Sequence, residues 1–198
     1  MTLPEIRILI DKLDPEIRSL LMKRMDYSAM AADAKLAAGE TTVYRPDREE
    51  ALLERLGRDV PEDRLPEYLS VARKILEASR MYQYGLIYDR LKDPLGPLLK
   101  GINIPADCFI VTIEFSRPDR PNSISSILGM IGDYGFDMDQ LVRTNGISQS
   151  DMVSFRLQIR GDLHETRMKK LMFHLSGECE DFRILSCAGC SPEKETAE

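Results

Sequence analysis

Hydrophobic positions recur every three to four residues in the first part of the chain and every second residue further on. Ile6, Ile10, Leu13, Ile17 and Leu20 alternate steps of four and three, the spacing of one face of an α-helix. Thr2 and Glu5 make a capping-box pair, and Pro4 stands in the first turn, where a missing N–H costs little. The pattern continues through SLLMKRMDYSAMAADAKLAAG and stops at Gly39. Pro15 either opens a new helix capped by Asp14 or lies inside one long helix; the apolar spacing passes through it unbroken and favours the single helix. A second helix is predicted from near Pro46 to Gly57, with Leu52, Leu53 and Leu56 on one side, and a third from about Pro66 to Asp89.

The stretch RLKDPLGPLLKGINIPAD holds three prolines and two glycines and reads as a linker. Beyond it the period is two. Phe109, Val111, Ile113 and Phe115 alternate with more polar neighbours, as do Val153, Phe155, Leu157 and Ile159, the mark of half-buried strands. Between them lie a short amphipathic helix in RPNSISSILGMIGDYG and a strand in FDMDQLVRTN. A further helix, opened by Asp162 and Glu165 as a capping pair and ended at Gly177, precedes a last strand in CEDFRILSC. The order β-α-β-β-α-β is ferredoxin-like, two helices covering one face of an antiparallel sheet. The expected fold is thus a two-domain α plus α/β chain: a three-helix domain at 1–90, a linker at 91–106, the ferredoxin-like domain at 107–190 and a tail at 191–198.

Composition narrows the function. Hydrophobic residues make up 43%, enough for a sizeable core. The net charge of −6, from 27 basic and 33 acidic residues, argues against nucleic acid or an anionic membrane as a partner. No apolar run reaches the roughly 20 residues of a membrane span and the N-terminus lacks a signal-peptide layout, so a cytoplasmic protein is expected. Cys187 and Cys190 form a C-x-x-C near the tail, but no second pair gives zinc spacing, and neither cysteine is assigned a role or a metal.

Within this acidic chain, fixed positive charge falls where the pattern says inside. Arg24 and Lys35 interrupt the stripe of the first helix, and Arg45 and Arg48 crowd the start of the second. Arg24 and Lys35 are 11 residues apart and share a face, about 16 Å apart along the axis. Arg7 stands 17 residues before Arg24, about 25 Å away, too far for one small metabolite to bridge. If all three serve one site, at least one comes from another copy of the chain. A long cation can also snorkel to solvent, and Arg7 beside Glu5 and Asp11 can be a surface pair. On the third helix Ser79 and Gln83 lie four apart, flanked by Ile75, Leu76 and Leu86, either a solvated face or the wall of a site.

The succession Arg7, Arg24, Lys35, Arg48-Glu49, Ser79, Gln83, carried by IRILIDKLDPEIRSLLMKR, AKLAAGETTVYRPDREEALLERL and KILEASRMYQ, resembles the all-helical chorismate mutases over roughly residues 3 to 88. The resemblance implies an intertwined homodimer with two shared active sites and a concerted [3,3] rearrangement of chorismate to prephenate, without metal or cofactor. It further implies that Arg7 of the partner chain and Arg24 bind the two carboxylates, while Lys35 and Gln83 donate to the ether oxygen. Glu49 would hold the ring hydroxyl, Arg48 support the pocket and Ser79 touch a carboxylate. Arg45 stands where such proteins often carry an acidic residue, and the LAAGETT loop is one residue longer.

The second half, over roughly residues 107 to 187, resembles an ACT domain, a regulatory module of amino-acid metabolism. The carrying residues are FIVTIEFSRPDRPNSISSILGMIGDYGFDMDQLVRT, with a turn Asp119-Arg120-Pro121-Asn122 that has Asn where glycine is common. The resemblance implies an aromatic amino acid effector bound by Pro121, Asn122, Ser123 and Ile124 together with Val142, Arg143, Thr144 and Asn145; a purely structural dimer-making module is the other reading. Two alternatives to the mutase stay open: an isochorismate-pyruvate lyase of the same helical kind, and a non-catalytic regulatory protein.

Overall fold

The structure is a computed structural model that describes residues 1–145 and 151–189. Its backbone divides into a helical unit, Met1–Arg90, and a second unit from Leu91 onward. Cys190 and the tail lie outside the described residues.

The helical unit has three helices: α1 (Leu3–Ala37), α2 (Pro46–Gly57) and α3 (Leu65–Arg90). The 35 residues of α1 run through Pro15 without interruption, so the single-helix reading holds. At its start the Glu5 carboxylate accepts the Thr2 N–H at 2.7 Å; at its end Gly39, with φ at +71°, turns the chain as glycine alone does cheaply. Ser28 and Ala32 of α1 are buried, as are Ala72, Leu76, Tyr84 and Ile87 of α3. The first twenty residues differ. Ile6, Ile10, Leu13, Ile17 and Leu20 are 40%, 52%, 54%, 52% and 69% exposed, so the stripe that predicted a buried face has no cover among the described residues.

In the second unit the linker-like stretch forms one helical turn, α4 (Gly96–Leu99), and buries Leu95. There follow β1 (Cys108–Pro118), α5 (Ser123–Asp133), β2 (Asp137–Arg143), β3 (Met152–Arg160), α6 (Thr166–Glu178) and β4 (Glu180–Gly189). The four strands form a sheet in the order β2-β3-β1-β4, every neighbouring pair antiparallel. The alternation sorts the strands as expected, with Val111, Ile113, Phe115, Leu157 and Ile159 fully buried together with Ile127 and Ile131 of α5 and Met168, Leu171, Met172 and Leu175 of α6. Phe109 departs from its stripe and is 45% exposed, where the pairing of β1 with β4 shifts register between Cys108 and Ile110. The opposite face of β1 is polar: Glu114 bonds Arg156 of β3 at 2.9 Å and Arg183 of β4 at 2.6 Å, which holds its carboxyl below the ordinary range.

The start of α6 corrects one expectation. Asp162 does not cap the helix; its carboxylate accepts the His164 N–H at 2.8 Å, an Asx turn that precedes α6, and Glu165 occupies the cap without a side-chain bond. Inside the unit, His174 bridges Tyr134 (3.3 Å) and Glu178 (2.7 Å), all three buried, so the packed core contains a satisfied polar chain.

Candidate active site in the helical unit

Arg24 of α1 turns toward α3, and Lys35 toward the loop before α2. The Arg24 guanidinium donates to the Ser79 hydroxyl and, at 3.4 Å, to the Ile75 carbonyl. Ser79 is 3% exposed and donates in turn to the same Ile75 carbonyl at 2.8 Å, which fixes its oxygen as an acceptor for Arg24. One turn further on, the Gln83 amide donates to the Ser79 carbonyl at 3.3 Å. Lys35 reaches the carbonyls of Thr42 (3.0 Å) and Val43 (3.3 Å). An ammonium carries three protons, so two are held by the loop and one is left to aim elsewhere.

Glu49, near the start of α2, acts electrostatically on both cations. Burial lowers the affinity of Arg24 and Lys35 for their protons, and the Glu49 charge works against that in each. Lys35 also feels Glu40 in its favour and Arg45 and Arg48 against it. The same carboxylate is bonded by Arg80 of α3, at 2.5 Å. Arg80 is 6% exposed and stacks over the Tyr44 ring at 4.8 Å, and the Tyr44 N–H donates to the Tyr84 hydroxyl at 3.3 Å.

Arg24, Lys35, Glu49, Ser79 and Gln83 are thus brought to neighbouring positions on α1, α2 and α3, and Arg48, exposed, stands close enough to repel Lys35. Arg7 is not among them. It is exposed and, among the described residues, has no hydrogen-bond or ion-pair partner in its own chain. Arg45 turns away to pair with Glu40 across the loop. Sequence reasoning missed Arg80, Tyr44 and Tyr84. The signal for Arg80 was present: a cation beside Ser79 on a helix whose neighbours at that depth are apolar.

In the second unit, the residues expected to hold an effector lie at two places tied to the start of β3. The Asp119 N–H donates to the Asp151 carbonyl at 2.8 Å. Asn145 donates to the Met152 carbonyl and accepts from the Ser154 N–H, each at 3.0 Å. Asn122 takes the left-handed conformation, φ +64°, that the turn before α5 requires. Ser123, the first residue of α5, is buried and its hydroxyl has no hydrogen-bond partner among the described residues. Burial pushes the Cys187 thiol up to about 12, with Cys108 beside it adding to the effect.

Three helices thus gather Arg24, Lys35, Ser79 and Gln83, with the Glu49 charge acting on both cations. Residues 6–84 match the family of chorismate mutase type II. The match covers the helices and leaves the sheet unit outside it. No curated protein matches the chain. A solved structure described as GqqA, a novel type of quorum quenching acylases, shares 21% identity at a TM-score of 0.41 over 46% of this chain, and the aligned part spans 33% of that protein. No described helix is long and apolar enough to cross a membrane.

Proposed function

We propose that the protein converts chorismate to prephenate in aromatic amino acid synthesis, as a homodimer whose two active sites each borrow Arg7 from the other chain. The observation that carries this reading is that Arg24 bonds Ser79, beside Gln83, while both Arg24 and Lys35 feel the charge of Glu49. Chorismate is a flexible dianion that must be held in a compact conformer while a carbon–oxygen bond breaks and a carbon–carbon bond forms. Arg24, steadied by Ser79 and the Ile75 carbonyl, presents a fork suited to a carboxylate. Arg7 of the second copy clamps the other carboxylate. Holding both ends lowers the entropic part of the barrier before reaction. Lys35 turns its third proton, and Gln83 its amide, to the ether oxygen, where negative charge grows in the transition state. Glu49 takes the ring hydroxyl and Arg48 supports the rim.

The homodimer is supported by the uncovered stripe from Ile6 to Leu20, the same length of α1 that carries the partnerless Arg7. A second copy laid along it removes apolar surface from water and delivers Arg7 to a site its own chain cannot reach. The sheet unit is read as an ACT domain that receives an aromatic amino acid at the start of α5 and the end of β2. Its support is the orphaned Ser123 hydroxyl beside the N–H groups of a helix N-terminus, a ready partner for a carboxylate.

The test is an ultraviolet assay of chorismate consumption with chromatographic identification of the product. Prephenate is expected. Pyruvate released from isochorismate, with chorismate untouched, replaces the mutase by a lyase, and inertness toward both leaves a non-catalytic protein. Calorimetric titration with phenylalanine, tyrosine and tryptophan tests the effector; silence for all three leaves the sheet unit a structural role.

A further inference from the structure

Arg80 has no place in the site expected from the sequence, yet it is the most buried cation of the helical unit, and it is bonded to the residue proposed to meet the substrate hydroxyl. Glu49 stands among three cations. Arg24 and Lys35 feel its charge from the side proposed to receive the dianion, and Arg80 holds it from α3 at 2.5 Å. A carboxylate free to choose would settle on Arg24 or Lys35, neutralising the groups that must meet the substrate and leaving its own oxygens turned from the hydroxyl. Arg80 is placed to prevent that. Its guanidinium is fixed by the Tyr44 ring at 4.8 Å, and Tyr44 is fixed by its N–H on Tyr84. A fork so immobilised loses little freedom when it binds a carboxylate. Because a carboxylate accepts several hydrogen bonds, Glu49 can keep Arg80 while accepting from a ligand.

Resting on the mutase reading, we infer that Arg80 is a positioning residue that draws Glu49 away from Arg24 and Lys35, keeping both cations open to the substrate carboxylates and ether oxygen and aiming Glu49 at the ring hydroxyl. It touches no reacting atom itself. A merely structural arginine would affect folding and leave the substrate's affinity alone; this one acts through Glu49, so its effect depends on whether Glu49 is charged.

The experiment is a cycle of wild type, Arg80→Met, Glu49→Gln and the double variant, read as kcat and KM for chorismate and as chorismate affinity by calorimetry, with thermal midpoints to follow folding. Arg80→Met is expected to weaken affinity by about 10²-fold, the scale of a displaced site group. In the double variant Glu49 no longer competes for the cations, so affinity returns to that of Glu49→Gln alone. Arg80→Lys keeps the charge without the fork and falls between Arg80→Met and wild type; it also replaces Arg80→Met in the cycle should that chain not fold. Losses that multiply, leaving the double variant well below Glu49→Gln alone, overturn the inference. A wild-type chain that binds chorismate without converting it overturns the mutase reading alone, and the affinity cycle still decides the role of Arg80. A wild-type chain that does not bind chorismate overturns both.

Discussion

A lysine that burial makes a weaker base is a sensitive place to test chemistry. Lys35 is protonated below its pKa in the folded protein, and in its proposed role the charged form is the one that stabilises negative charge on the ether oxygen. Desolvation, the largest influence, lowers that value from 10.5, partly offset by Glu40 and Glu49. Activity is therefore expected to fall as pH rises through a value below the ordinary lysine range, the charged form being lost on the alkaline side. A pH profile of kcat checks this. Lys35→Arg should turn over more slowly at neutral pH yet remove the alkaline limb, because arginine stays protonated throughout. Lys35→Ala and Gln83→Ala should each reduce kcat by about 10²–10³-fold with the helices intact by circular dichroism, the usual cost of one transition-state donor. Residues such as Arg24 and Lys35 were legible in the sequence because a cation on an apolar stripe violates the helical pattern. Arg80 violates it too, but its meaning depends on Glu49 and Tyr44, which lie 31 and 36 positions away and meet it only after α2 folds against α3.

At the scale of elements, period decided almost everything. The three- and four-residue steps placed α1, α2 and α3, and the two-residue alternation placed β1 and β3 with their buried faces. Helix ends were less legible. Asp162 and Glu165 have the spacing of a capping pair, but the Asp162 side chain is already engaged by the His164 N–H, and the helix begins only at Thr166. The end of α5 depends on Gly135 in the left-handed conformation, φ +78°, where the Phe136 N–H returns to the Ile131 carbonyl at 3.2 Å. A Cβ there would lie 3.2 Å from the Arg167 guanidinium that stacks on Phe136. Gly135→Ala is therefore expected to destabilise the sheet unit by about 1–2 kcal/mol, the cost of forcing an alanine into that backbone. Gly135→Asn should cost less, since asparagine tolerates it. Chemical denaturation followed by near-ultraviolet dichroism measures both.

For the molecule as a whole, the stripe of α1 gave opposite answers to two questions. As a statement of secondary structure it was right, since Leu3–Ala37 is one helix. As a statement of burial it fails within one chain, because Ile10, Leu13, Ile17 and Leu20 are all at least half exposed. The pattern specifies that the face is covered without specifying by what, and a periodicity cannot distinguish a partner from another part of the same chain. The proposed exchange of Arg7 makes that distinction measurable. Arg7→Ala and Lys35→Ala chains, each inactive alone, are mixed after mild unfolding and refolded together. In a mixed dimer one site takes its Lys35 from the first chain and its Arg7 from the second, and is whole; the other site lacks both. Equal mixing places half the protein in mixed dimers, so about a quarter of wild-type activity should return. Sites built from a single chain would leave the mixture as dead as its components. Recovery well above that level would mean the two residues were never required in the same site.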